Sequence, residues 1–188
     1  MNARLAFLLM AGLMMVLTAC TSPQVKDGVP DEAPAGADAQ QQGDGTATFG
    51  LTEDGTYAEG FDFVNDPQSP LNDPQSPLAE RIIYFDFDSS QVREEYLDLI
   101  AAHGKFLAEH ASLKIRLEGH TDERGTREYN VALGENRSKS VRSLMELQGV
   151  AADQLELVSY GEELPIAFGH DEMAWSKNRR VEIVYEAK

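Results

Sequence analysis

The stretch GHTDERGTREYNVALGENR, Gly119 to Arg137, brings a carboxylate and a guanidinium close enough in sequence to hold an ion or a zwitterion. Asp122 falls in a charged turn, and Asn130, Leu133 and Arg137 follow at spacings that share one helical face. That face continues through Val141, Leu144 and Met145, so Arg137 belongs on or beside the buried stripe. A buried guanidinium needs an anion. Asp122 itself would make a structural ion pair; a ligand carboxylate would instead leave Asp122 to take a ligand ammonium. The spacing does not choose between these two.

Other combinations are weaker. Asp86 and Asp88 in FDFDSS form an Asp-x-Asp pair at a strand end, as in phosphatases of the haloacid dehalogenase type, but that chemistry needs a larger α/β domain with further Lys and Asp motifs. A calcium loop starting at Asp86 fails, with Gln91 in place of the glycine and Leu97 in place of the final glutamate. His103, His110, His120 and His170 compose no metal-ligand motif, so neither metal nor cofactor is expected. His120 and Asp122 could be drawn as an acid–base pair, but no activated Ser or Cys accompanies them, which leaves a cell-wall hydrolase as a minor rival.

The elements that must position these residues are legible by period. RIIYFDF, Arg81 to Phe87, reads as a buried strand. A helix follows, with Ser90 as its cap and a stripe through Val92, Tyr96, Leu99, His103, Phe106 and Leu107, ending near His110. LKIRLEG alternates as a half-buried strand. Thr126 caps a second helix that runs to about Gln148, with Gly149 as its stop. LELVSY, broken by Gly161, and RRVEIVYE are two more strands, with a short helix or turn at HDEMAWSKN. The order β-α-β-α-β-(α)-β predicts an α/β two-layer sandwich, a four-stranded mixed sheet with helices on one face.

Ahead of this domain the composition changes. The 188-residue chain carries a net charge of −16, which argues against nucleic acid as a partner. Residues 1–19 have one Arg and no acid, residues 20–80 one Lys against twelve acids, and residues 81–188 fourteen bases against twenty acids. Residues 1–19 read as a secretory signal, with Arg4 before an apolar run too short for a convincing spanning helix. LTAC, ending at Cys20, resembles the bacterial lipobox. That resemblance implies cleavage before Cys20, acylation of this single cysteine, and outer-membrane placement because Thr21 rather than Asp follows it. Residues 21–80 read as a disordered acidic tether, with NDPQSPL duplicated at Asn65–Leu71 and Asn72–Leu78 as added spacer length. Sixty flexible residues would span about 45 Å. Phe49, Tyr57, Phe61 and Phe63 could form a docking segment within it.

The Gly119–Arg137 segment, SYGEELP at Ser159–Pro165, GHDEMAWSKNRR at Gly169–Arg180 and the lipobox together resemble the peptidoglycan-associated lipoprotein branch of the OmpA-like domain family. The resemblance covers residues 81–188 and the N-terminus. It implies a non-enzymatic domain, facing the periplasm from a lipid anchor in the outer membrane, that binds the meso-diaminopimelate peptide of peptidoglycan and the periplasmic protein TolB. Asp122 and Arg137 would take the ligand's ammonium and carboxylate, with Asn130 and Leu133 lining the groove from the helix. Phe87 and Asp88 would close its other side, with Arg180 as an outlying addition. Asn136 and Ser138 stand where the family commonly has Arg and Ala, and Leu164 stands where this branch often has a basic residue. A pure protein-docking module without peptidoglycan binding is the other rival.

Overall fold

The computed structural model describes residues 51–52, 56–58 and 60–186. The signal, Cys20, Phe49 and the first part of the expected tether lie outside the described residues. Strands β1 (Ile82–Tyr84), β2 (Ile115–His120), β3 (Leu155–Gly161) and β4 (Arg180–Tyr185) form one sheet in the order β1-β4-β2-β3. Only β2 and β3 run parallel. Helices α1 (Leu97–Glu109), α2 (Arg127–Leu147) and α3 (Glu172–Asn178) complete the predicted order.

Period-two alternation supplies the sheet's inner face. Leu117 stands opposite Ile183 on one side and Leu157 on the other, while Ile83 stands opposite Val181. These side chains meet Ile100 and Leu107 of α1 and Val141 and Met145 of α2 in one apolar core. The parallel β2-α2-β3 crossover carries the site, and two glycines set how closely it packs. A Cβ on Gly119 of β2 would collide with the carbonyl of Gly134 in α2, and one on Gly134 would collide with the hydroxyl of Ser159 in β3. With both absent, α2 approaches the sheet closely enough for Arg137 to reach the backbone at the end of β2. The departure at Ser138 falls in this contact, where its hydroxyl is buried without a partner.

Three expectations are corrected. The first strand is shorter than RIIYFDF: it stops at Tyr84, although Phe85 N–H still donates to Arg179 O at 2.9 Å. Asp88 then adopts the left-handed backbone, φ 54°, and turns the chain away. Ser90 does not cap the helix. Arg93 is tied back to Tyr84 O at 3.3 Å and to the Tyr96 hydroxyl at 3.0 Å, so a single 3-10 turn, Glu94–Tyr96, comes first and α1 begins at Leu97. Thr126, by contrast, caps α2 as expected, accepting from Tyr129 N–H, and Gly149 ends it with φ 95°.

The third correction concerns the tether, whose last part is folded. Phe63, Leu71 and Leu78 are buried in the core, with Tyr57 and Phe61 packed against it. The duplicated heptads repeat one local design. The Asp66 carboxylate accepts from Gln68 N–H at 2.8 Å and that of Asp73 from Gln75 N–H at 2.9 Å. Ser69 and Ser76 hydroxyls accept from Leu71 and Leu78 N–H, both at 3.2 Å. Proline excludes an α-helix interior, but paired Asp and Ser turns, the second opening a short 3-10 turn at Pro77–Ala79, deliver Leu71 and Leu78 to the core seven residues apart.

Candidate functional site

Beyond the end of β2 the chain turns at Thr121, whose N–H donates to Gly161 O at 2.8 Å, and this fixes Asp122 beside the start of α2. A cavity of about 220 Å³ opens there. Phe87, Asp88, Asp122, Asn130, Leu133 and Arg137 all line it. Of the expected site residues in the folded domain, only Arg180 is elsewhere.

Arg137 has no exposed surface. Its Nη1 donates to His120 O at 2.7 Å, Nε to Ser89 O at 2.9 Å and Nη2 to Asp86 O at 3.1 Å, over the Phe85 ring at 5.3 Å. No ion pair or hydrogen bond joins it to Asp122 among the described residues. The structural ion-pair alternative is therefore excluded. Three of five N–H donors are used, which leaves two. Burial lowers the guanidinium's pKa to about 10, opposed by the charge of Asp122.

Asp122, 4% exposed, is held by other arginines. Arg124 donates Nη2 to Oδ2 at 2.7 Å, Nε to Oδ1 at 3.2 Å and its backbone N–H to Oδ1 at 3.1 Å. Arg179 adds Nη1 to Oδ2 at 3.2 Å. Burial raises the Asp122 pKa, but the bonds from Arg124 and Arg179 outweigh it and the net shift is downward. Around this pair, the Tyr129 hydroxyl donates to Asp88, and the Asn130 amide donates to Glu162. Phe87 is 57% exposed at the mouth. The Thr121 hydroxyl is buried without a partner at the cavity wall.

Arg180 does not face the groove. It pairs with Glu182 at 2.5 Å and donates to Asn178 O at 3.4 Å and Leu164 O at 3.2 Å. The arginine of NRR that joins the site is Arg179, which also bonds Phe85 O at 3.1 Å and Glu172 at 2.5 Å. Strand parity carried that signal: Arg179 shares the core-facing register of Val181, Ile183 and Tyr185, and Arg180 shares that of Glu182. Arg124 and Thr121 went unread because turn residues have no period; Tyr129, in the first turn of α2 and four residues before Leu133, carried the helical period and was missed.

The hydrolase geometry is absent among the described residues. The His120 ring is buried against Tyr160, 5.4 Å between centroids, and lies 3.9 Å from Glu182 rather than against Asp122. His103 is spent on Tyr185 and Glu80 O, both at 2.8 Å. No described cluster of His, Cys, Asp and Glu could hold a metal. No described helix is long and apolar enough to cross a membrane.

The OmpA family profile matches residues 84–179, just over half of the chain. The peptidoglycan-associated lipoprotein of Pseudomonas aeruginosa is 55% identical over 100 residues, 53% of this chain and 59% of that protein. That of Mesorhizobium japonicum is 36% identical over 167 residues, 89% of this chain and 83% of that protein. The chain thus spans about three fifths of the length of its Pseudomonas relatives and most of the Mesorhizobium one. The crystal structure of the peptidoglycan-associated lipoprotein from Burkholderia pseudomallei superposes with a TM-score of 0.61 at 51% identity, covering 62% of this chain and 99% of that one. The C-terminal domain of Helicobacter pylori MotB superposes with 0.54 at 25% identity, covering 58% and 86%.

Proposed function

The chain belongs to the OmpA family, in the branch of the peptidoglycan-associated lipoproteins, and from that premise we propose that its groove binds the meso-diaminopimelate peptide of peptidoglycan without covalent chemistry. The observation that carries this reading is Arg137: a fully buried guanidinium beside a cavity, satisfied by three carbonyls and by no carboxylate. Carbonyls fill donors but do not neutralise charge, so a ligand carboxylate entering the cavity would recover the desolvation cost with its two remaining N–H groups. Asp122 would receive the ammonium on the same carbon, and Leu133 and Phe87 would pack against its methylenes.

In this reading Cys20 carries acyl chains in the outer membrane, the acidic segment spans outward from it, and the folded domain ties that membrane to the cell wall from the periplasm. A TolB-like partner is supported by the groove's rim. Phe168 is 84% exposed in a second cavity that shares Thr121 with the groove, and Leu164 and Met173 are exposed near it in sequence.

The test is co-sedimentation of the purified chain with diaminopimelate-type and lysine-type peptidoglycan. Lysine lacks the one carboxylate that Arg137 would receive, so binding should fall by about 2–5 kcal/mol. Equal binding to both walls would sink the reading. Competition by TolB for the diaminopimelate-type wall tests the second partner.

A further inference from the structure

We propose that Arg124 sets the groove's selectivity for an ammonium-bearing ligand: it pairs with Asp122 and yields that carboxylate only to a cation able to replace it. This rests on the groove being a zwitterion clamp and adds which residue decides what enters.

Three arginines surround Asp122, and they differ in freedom. Arg137 is anchored by three carbonyls and has no exposed surface. Arg179 is 5% exposed and anchored to Phe85 O and Glu172. Arg124 alone reaches solvent, its side chain 31% exposed, and its side-chain bonds go only to carboxylates. It also has contacts beyond Asp122. Its guanidinium lies between the rings of Phe87 at 4.0 Å and Trp175 at 4.2 Å, with Glu172 at 3.5 Å on the outer side. Sliding outward, it would keep a carboxylate and an aromatic face while releasing Asp122.

The consequence is an exchange of cations. An ammonium is compact and carries three donors, so it can fill the position the guanidinium leaves. A ligand bearing only carboxylates has nothing to offer Asp122; Arg124 stays, and the ligand meets Arg137 beside an occupied neighbour. The groove therefore carries an internal stand-in for half of its ligand, which lowers affinity for every guest and least for the right one.

The test titrates the full chain and its Arg124→Gln variant with meso-diaminopimelic acid and with pimelic acid, which has the same carboxylates and no amines. Calorimetry gives affinity. Trp175, the one tryptophan in the sequence, reports by fluorescence whether the stacked cation has moved. Diaminopimelate should change Trp175 emission in the wild type and pimelate should not. Arg124→Gln should bind diaminopimelate about tenfold more tightly, without the emission change, and pimelate within twofold of wild type. Arg124→Lys, which keeps a charge but loses the flat stack, should fall between. Weaker diaminopimelate binding in Arg124→Gln would make Arg124 a direct ligand contact, and unchanged binding would make it a bystander; either overturns the proposal while wild-type binding keeps the groove reading alive. A wild type that binds no diaminopimelate removes both.

Discussion

Two arginines are buried to the same degree and meet the problem of their charge in opposite ways. Arg180, 2% exposed, is closed by the carboxylate of Glu182 two residues along its own strand and by the carbonyls of Leu164 and Asn178. Arg137, with no exposed surface, is closed by carbonyls from three separate segments, at Asp86, Ser89 and His120, and faces a cavity. The first has its anion built in and belongs to the architecture. The second has every structural requirement met except neutralisation, and that remaining requirement is what an anionic guest supplies.

The largest effect that could break this comparison is on binding. Arg137→Met keeps the length and apolar stem of the side chain and removes the charge. Affinity for diaminopimelate-type peptidoglycan should fall by about 3–5 kcal/mol, at least a hundredfold. Stability should fall by only about 1–3 kcal/mol, because three carbonyls lose their donors while a buried cation without a partner carboxylate is relieved. Urea midpoints and co-sedimentation separate the two. A variant that unfolds yet still binds wherever it is folded would make Arg137 as architectural as Arg180.

Arg180→Met should behave as the mirror image, with a smaller effect. It strips a donor from Leu164 O and Asn178 O and the partner from Glu182, which is itself 30% exposed and can recover water. A loss of about 2 kcal/mol in stability is expected, with peptidoglycan affinity unchanged. Loss of binding in this variant would restore it to the site and blur the distinction.

The contrast also explains what the sequence could and could not disclose. Asp122 was legible as the carboxylate of the adjoining turn, which the resemblance assigned to the groove, while Asn130, Leu133 and Arg137 were legible because a helix face has a fixed period. The sheet, its mixed character and α2 from cap to stop were legible for the same reason. Arg124 was not, since its role comes from stacking between Phe87 and Trp175, residues far apart in the chain. Arg179 was confused with Arg180 although strand parity separates them. Leu71 and Leu78 were hidden because two prolines per heptad look like a spacer; their burial depends on side-chain turns that no periodicity registers.

The finest test lies in His120, which joins the two regions. Its backbone carbonyl accepts from Arg137, while its ring is buried against Tyr160 and near Glu182 and Arg180. Burial first, and then the charge of Arg180, lower the His120 pKa to about 4, against the pull of Glu182. Because the folded value lies below that of the unfolded chain, about 6.5, the unfolded state takes up the proton first as pH falls. Stability should therefore decline from about pH 6.5 down to pH 4, and His103, lowered to about 4 by burial and then by Arg81, adds to the same decline. In Arg180→Met the repulsion is gone and the attraction of Glu182 remains, so the His120 titration should rise. The acid decline of stability should then level off at a higher pH, read by NMR titration of the imidazole. Arg137→Met leaves the ring's charged neighbours in place and should not move this titration. A shift of the imidazole in Arg137→Met as large as that in Arg180→Met would mean that the two arginines act on one electrostatic site, and the separation between built-in and awaited anion would have to be abandoned.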